Sequence, residues 1–207
     1  MKNAKLTFHK FEQRSKEWRE IRLGRVGGSE AIGLTTAARM KTIIPLKMAE
    51  IETQEDQGDD FTSEAMKEGI LNEPIVKAEY EKRHFVSVDD YGYITNSDFH
   101  LLGISPDGMV GSNGAIEIKC PQPKAHIEFI IEGLIPSKYR PQVSHLFFVV
   151  PDLEWVDFIS YNEKVTRKPY FEIRVTREGW KAEIEKISKG YTSFIKKMQE
   201  ADAKLAK

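Results

Sequence analysis

A mixed α/β domain built on a central sheet is the fold class that this chain of 207 residues predicts. Three observations lead there. Residues 86–119 hold short β-branched and aromatic stretches broken by Gly, Pro and Asp. Two further alternating stretches come later, at Trp155–Tyr161 and 170–175. Around and between them, apolar residues keep helical spacing.

The elements follow in order. Ser15 caps a short helix over 16–23, because its hydroxyl can accept from a free N–H of the first turn, and Gly24 ends it. Gly27-Gly28 opens a second short helix over 29–34, and 45–53 reads as a third. The acidic stretch 54–60, with Gly58, is a surface loop. A longer helical pattern covers 63–83, with Met66, Ile70, Val76 and Tyr80 near one face. Pro74 should kink or restart it, since an interior proline costs about 3 kcal/mol. Residues 86–94 alternate as a strand. Two more strands span 100–104 and 115–119, with turns at Pro106-Asp107-Gly108 and over 111–114. A helix over 124–133 comes next. Tyr139, Val143, Leu146 and Val150 continue at helical spacing, with Pro141 confined to the first turn. After the last two strands, 179–206 form an amphipathic helix whose stripe is Ile184, Ile187, Tyr191, Ile195 and Met198.

Composition narrows the class. With 40% hydrophobic and 30% charged residues, the chain can bury a sizeable core, and its length fits one domain over 1–207. No run approaches the roughly 18 apolar residues of a membrane span, and the polar start shows no secretory signal, so a cytoplasmic protein is expected. The single cysteine, Cys120, excludes an internal disulfide and a cysteine-based zinc cluster. The net charge of −1 hides segregation: residues 1–25 carry eight Lys/Arg against three Glu, 164–181 six against two, and 50–68 eight Asp/Glu against one Lys. Binding of a polyanion depends on local field rather than net charge, so nucleic acid stays open as a partner, beside the plainer reading of solvated faces of both signs.

The stretch from Gly103 to Pro121 carries the chemistry. On a strand Glu117 and Lys119 share one face and Ile116 and Ile118 the other. If the strands at 100–104 and 115–119 pair as a hairpin, Asp107 and Glu117 converge at one end of the sheet. Two converging carboxylates suit Mg²⁺ or Mn²⁺, and a lysine beside them can orient a water or neutralise charge developing on a phosphate. Singly these residues have plain readings: Pro-Asp-Gly is a favoured turn, and Glu-Ile-Lys an ordinary half-exposed strand. Glu73 sits three residues after Ile70, so a continuous helix would turn it toward the apolar face, whereas a break at Pro74 would leave it in water. Trp18 to Glu30 combines arginines, flexible glycines and a serine opening a helix, which suits a phosphate pocket or an N-capped helix with solvated arginines. The five histidines show no metal-ligand spacing.

Taken together these stretches resemble the lambda-exonuclease-like family, the YqaJ-type viral recombinases. The matching order is Trp18, Arg22-Leu23-Gly24, Ser29-Glu30, Glu73, Ser105-Pro106-Asp107-Gly108, Glu117-Ile118-Lys119-Cys120-Pro121 and Gln142, within residues 18–150. The resemblance implies a restriction-endonuclease-like PD-(D/E)xK core, a central mixed sheet flanked by helices. It implies an alkaline, Mg²⁺-dependent exonuclease, with Mn²⁺ substituting, that digests linear double-stranded DNA from 5′ ends to mononucleotides and leaves 3′ single strands. By position, Asp107, Glu117 and the Ile118 carbonyl would hold metal, Lys119 would position the attacking water, and Glu73 and Gln142 would complete the catalytic set. Arg22, Ser29 and Ser105 would hold the 5′-phosphate. Relatives form a ring of three subunits and work beside a phage-type single-strand annealing protein, so a homotrimer and such a partner are expected, in a bacterial host cell. A restriction-type or structure-specific endonuclease on the same core is the competing enzyme reading; a DNA-binding recombination scaffold without catalysis is the other.

Overall fold

The computed structural model of the protein describes residues 6–58 and 64–206, the second stretch with side chains from Lys67 onward. The Met66 side chain and part of the expected 54–60 loop fall outside what the structure describes. The main sheet has five strands in the order β2-β5-β6-β7-β8, from β2 (Val88–Asp89), β5 (Gly108–Val110), β6 (Gly114–Lys119), β7 (Trp155–Tyr161) and β8 (Tyr170–Thr176). All neighbours are antiparallel except β6 and β7, which run parallel with Glu117 beside Phe158 and Lys119 beside Ser160. A parallel pair needs a long crossover. The two helices α4 (Pro123–Glu132) and α5 (Arg140–Val149) supply it. A smaller sheet joins β1 (Leu6–His9), β3 (Tyr93–Asn96) and β4 (Gly103–Ile104), all antiparallel. The expected α/β class, a mixed sheet flanked by helices, is the one observed.

Pleating gives each face of the main sheet a different cover. Phe158 packs on Phe129 of α4 and on Tyr139 just before α5. The opposite face, with Ile116, Ile118 and Ile159, takes Val76 and Tyr80 of α3 (Glu64–His84). The larger core gathers α2 (Ala37–Thr53), α5 and the closing helix α6 (Lys181–Leu205). Ile187, Tyr191 and Met198 of the expected stripe are buried there with Phe194, and Ile184 and Ile195 lie at its margin.

Several boundaries differ from expectation. α2 begins eight residues before Pro45, capped by Thr36, and α3 runs through Pro74 without a break. Each proline forgoes one helix hydrogen bond, and burial of Met40, Ile43 and Met48 in α2, and of Val76 and Tyr80 in α3, offsets the loss. The short helix expected over 29–34 is a 3-10 turn at Ala31–Leu34. The strand expected over 86–94 is two strands in two sheets, because the chain turns at Gly92, where a Cβ would lie 2.0 Å from the Phe11 carbonyl oxygen. The hairpin partner of 115–119 is not 100–104. Those residues supply β4 of the small sheet, and the partner is β5, which begins immediately after Asp107.

His145 ties α5 to β4, its Nε2 standing 3.0 Å from the Gly103 carbonyl oxygen. It is fully buried, and burial pushes its pKa down to about 4 from 6.5. The unfolded chain therefore binds a proton that the folded one refuses, so stability falls as pH drops from 6.5 toward 4, by roughly 3 kcal/mol in full. Urea melts at pH 7.5 and pH 5 should show the wild type losing about 2 kcal/mol more than His145→Gln across that interval. Equal losses would remove His145 as the cause.

Candidate active site

The hairpin β5-β6 brings the acidic residues together. Glu117 is fully buried, and its Oε1 accepts from Lys119 Nζ and from Gln142 Nε2, each at 2.5 Å. Among the described residues its Oε2 is buried with no hydrogen-bond partner. Asp107 Oδ2 accepts from the Ile118 N–H at 2.6 Å, which pins the turn before β5 to the strand carrying Glu117 and Lys119. Gln142 reaches the site from the first turn of α5, where Pro141 is tolerated. Glu73 approaches from the continuous helix α3, half-buried and close enough to Asp107 for the two charges to interact.

The electrostatics follow from this packing. Burial, then Asp107, push Glu117 up to about 8, against the weaker pull of Lys119. Burial and Asp107 also raise Glu73. For Lys119 burial acts downward, but Glu117 and Asp107 together hold it above its ordinary value, so it stands as an ammonium beside the carboxylates. Burial raises Cys120 to about 11, so the thiol stays protonated near neutral pH.

An unpartnered carboxylate oxygen in a dry site is costly unless something fills its coordination. Among the described residues, no three His, Cys, Asp or Glu side chains form a ready-made cluster. The side chains brought together here, Asp107 and Glu117, offer carboxylate oxygens, a donor type that fits a hard divalent cation.

Beside this centre, Arg22 of α1 (Lys16–Arg22) lies with its guanidinium carbon 3.9 Å over the Trp18 ring. Trp18 Nε1 donates to Ser105 Oγ at 2.8 Å, and Ser105 donates in turn to the Gly92 carbonyl at 2.8 Å. Arg22 and Ser105 are thus joined through one tryptophan. Ser29 is exposed on the following loop, next to Gly28, where a Cβ would lie 2.4 Å from Ile104 and 3.3 Å from Gln142 Cγ. No hydrogen bond joins Ser29 to Arg22 or Ser105 among the described residues.

A buried ion network, which helical spacing alone reads as a surface pair, holds that loop. Lys47 of α2 contacts Glu30 at 2.7 Å and Glu50 at 3.0 Å, Glu50 accepts from the Gly24 N–H at 2.9 Å, and Glu30 accepts from the Gly27 N–H at 2.9 Å. Lys47 and Glu50 are 3% and 4% exposed, so Lys47→Met leaves two carboxylates uncompensated. It should cost about 3–5 kcal/mol. A urea midpoint within error of wild type would contradict this.

The family model for the YqaJ-like viral recombinase domain matches residues 17–150, well over half the chain. The chain belongs to this family. Among solved structures, an alkaline exonuclease from Laribacter hongkongensis (LHK-Exo) matches at 30% identity over 93% of this chain and 98% of that one, with a TM-score of 0.78. The same enzyme in complex with dAMP matches with the same values. A phage-related exonuclease from Haemophilus somnus 129PT shares the fold, at 12% identity over 87% of this chain and 96% of that one, with a TM-score of 0.58. No curated protein matches. The resemblance read from the motifs is therefore the family observed, and the chain is an exonuclease-like nuclease with a sheet consistent with the PD-(D/E)xK core. Among the described residues, no helix is long and apolar enough to cross a membrane.

Proposed function

We propose that the protein is a Mg²⁺-dependent exonuclease, with Mn²⁺ substituting, that degrades linear double-stranded DNA from 5′ ends and leaves a 3′ single strand. The observation that carries this reading is the buried Glu117, clasped by Lys119 and Gln142 and left with one unpartnered oxygen, in a chain of this family. Asp107, Glu117 and the Ile118 carbonyl would hold the metal, which when bound polarises the phosphate and lowers the pKa of water. Gln142 and Lys119 fix one oxygen of Glu117, so the other keeps a single direction. The Lys119 ammonium donates to the attacking water or to the phosphate oxygen that gains charge. Glu73, half-buried beside Asp107, completes the set through water. Arg22, Ser29 and Ser105 bind the terminal 5′-phosphate, with Trp18 holding Arg22 and Ser105 in place. Water attacks phosphorus in line, the bond to the 3′ oxygen breaks, that oxygen takes up a proton, and a 5′-mononucleotide leaves.

In this reading the whole chain works as one nuclease unit. It acts in a bacterial cell under phage or prophage control, beside a single-strand annealing protein, as a ring of three subunits whose closure would retain DNA without tight binding. Monomeric mass in light scattering would remove the ring.

The reading is tested with one linear duplex, 5′-phosphorylated and labelled differently on its two strands, digested with Mg²⁺ beside a covalently closed circle. Stepwise loss from 5′ ends with the circle intact is the expected result. Cutting of the circle would move the protein to the endonucleases, and binding without cleavage would leave a recombination scaffold.

A further inference from the structure

A second cationic feature lies outside the 5′-end residues. A cleft of about 410 Å³ opens between the N-terminal segment and α3, lined by Lys10, Glu12, Arg14, Glu73, Lys77 and Asp90 among others. Because Glu73 forms part of its wall, the cleft adjoins the carboxylates of the candidate active site. Two of its three cations are already engaged. Lys77 forms an ion pair with Asp90, and Lys10 lies 5.9 Å over the Tyr91 ring. Arg14 is exposed and, among the described residues, forms no salt bridge, and its charge stands near enough to Glu73 to pull that carboxyl down against burial and Asp107.

Arg14 also holds a backbone conformation that arginine does not favour, with φ at 69°. The Ser15 N–H donates to the Glu12 carbonyl at 3.2 Å, closing a four-residue turn in which Arg14 is third. A positive φ at that place favours Gly or Asn. Among the described residues, the other two non-glycine positions with positive φ, Gln54 and Phe85, follow the ends of α2 and α3, where a left-handed residue ordinarily stops a helix. Arg14 precedes a helix whose cap, Ser15, already accepts from the Trp18 N–H, so no capping need explains it. An exposed arginine strained where glycine would relax, outside any salt bridge and lining a cleft within electrostatic reach of Glu73, points to use of its side chain.

We propose that Arg14 contacts the DNA backbone: its guanidinium takes a phosphate of the strand lying in the cleft beside Glu73, adjacent to the phosphodiester that is cut. The planar, permanently charged fork suits a phosphate oxygen pair. The inference rests on the exonuclease reading and adds to it a residue separate from the 5′-end pocket.

Arg14→Gly is the decisive variant, because it relaxes the turn and should melt at or above the wild-type temperature, so a functional loss is not unfolding. Binding to a short duplex is measured without divalent ion across a salt series, and digestion kinetics with Mg²⁺. Arg14→Gly should bind roughly tenfold more weakly at low salt, with its salt slope smaller by about one, and should raise KM far more than it lowers kcat. Arg14→Lys, equally strained but still charged, should recover most of the salt slope. An active wild type with an Arg14→Gly variant of the same salt slope and KM would overturn this assignment alone. A wild type that neither binds duplex nor digests its ends would overturn the exonuclease reading and the assignment with it.

Discussion

Glu117→Gln should slow Mg²⁺-supported digestion of a linear duplex by on the order of a thousandfold, while the protein melts at the same temperature or higher. The loss follows from replacing a charged ligand by an amide, since the several kcal/mol that a bound cation supplies to the transition state depend on its being held and oriented. The stability follows from packing. Glu117 is fully buried with Oε2 unpartnered, so its ionised form is strained in the absence of a cation. The amide carbonyl still accepts from Lys119 and Gln142, and Asp107 remains beside the ammonium. The pH dependence has a definite sign. The carboxyl titrates near 4.5 in the unfolded chain and is raised to about 8 by burial and Asp107 when folded. Between those values the unfolded state binds fewer protons, so wild-type stability declines as pH rises through the window. The advantage of Glu117→Gln should therefore grow from pH 5 to pH 8 in metal-free melts and vanish below about pH 4.5. A variant that digests DNA within tenfold of wild type would remove Glu117 from the metal site.

Lys119→Ala should reduce turnover by a factor of about a hundred to a thousand, with affinity for Mg²⁺ within a few-fold of wild type. Lys119 stands on the strand that carries Glu117, 2.5 Å from Oε1, and its side chain is 22% exposed. It contacts the buried carboxylate and keeps part of its side chain open toward a substrate phosphate. Removing it should leave the metal ligands in place and take away the donor that meets charge building on phosphorus. Calorimetric titration with Mg²⁺, set beside single-turnover digestion, separates the two effects. Digestion at the native rate would sink the role assigned to Lys119, and a joint loss of metal binding would make it a structural partner of Glu117 instead.

How much of this could be read from the chain depends on what each signal measures. The strands Trp155–Tyr161 and 170–175, the helix after Pro123 and the Ser15 cap were legible because they rest on local periodicity and turn chemistry. The interior prolines are the opposite case. Pro45 and Pro74 carry a local cost, and the packing that overrides it is made with residues distant in sequence. The partner of β6 is hidden for a similar reason: β5 is three residues long and follows a turn tripeptide, so nothing in its own sequence marks it as a strand. Lys47 and Glu50 lie three apart on a helix, the spacing of an exposed pair, and only the docking of α2 over Gly24 and Gly27 makes them a buried network.

Glu73 shows the division most clearly. Its spacing from Ile70 admitted two orientations, and the continuity of α3 selects the one that faces Asp107. By itself the sequence determined the family, the α/β class and the residue types that could hold a cation and a phosphate, because these are carried by identity, order and local period. Tertiary structure alone decided that Asp107 braces the backbone of β6, that Gln142 and Lys119 share one oxygen of Glu117, and that the other oxygen is buried without a partner among the described residues. Those facts depend on which strands pair and which helices cover them, and pairing is governed by contacts between residues far apart in the chain, to which local pattern is blind.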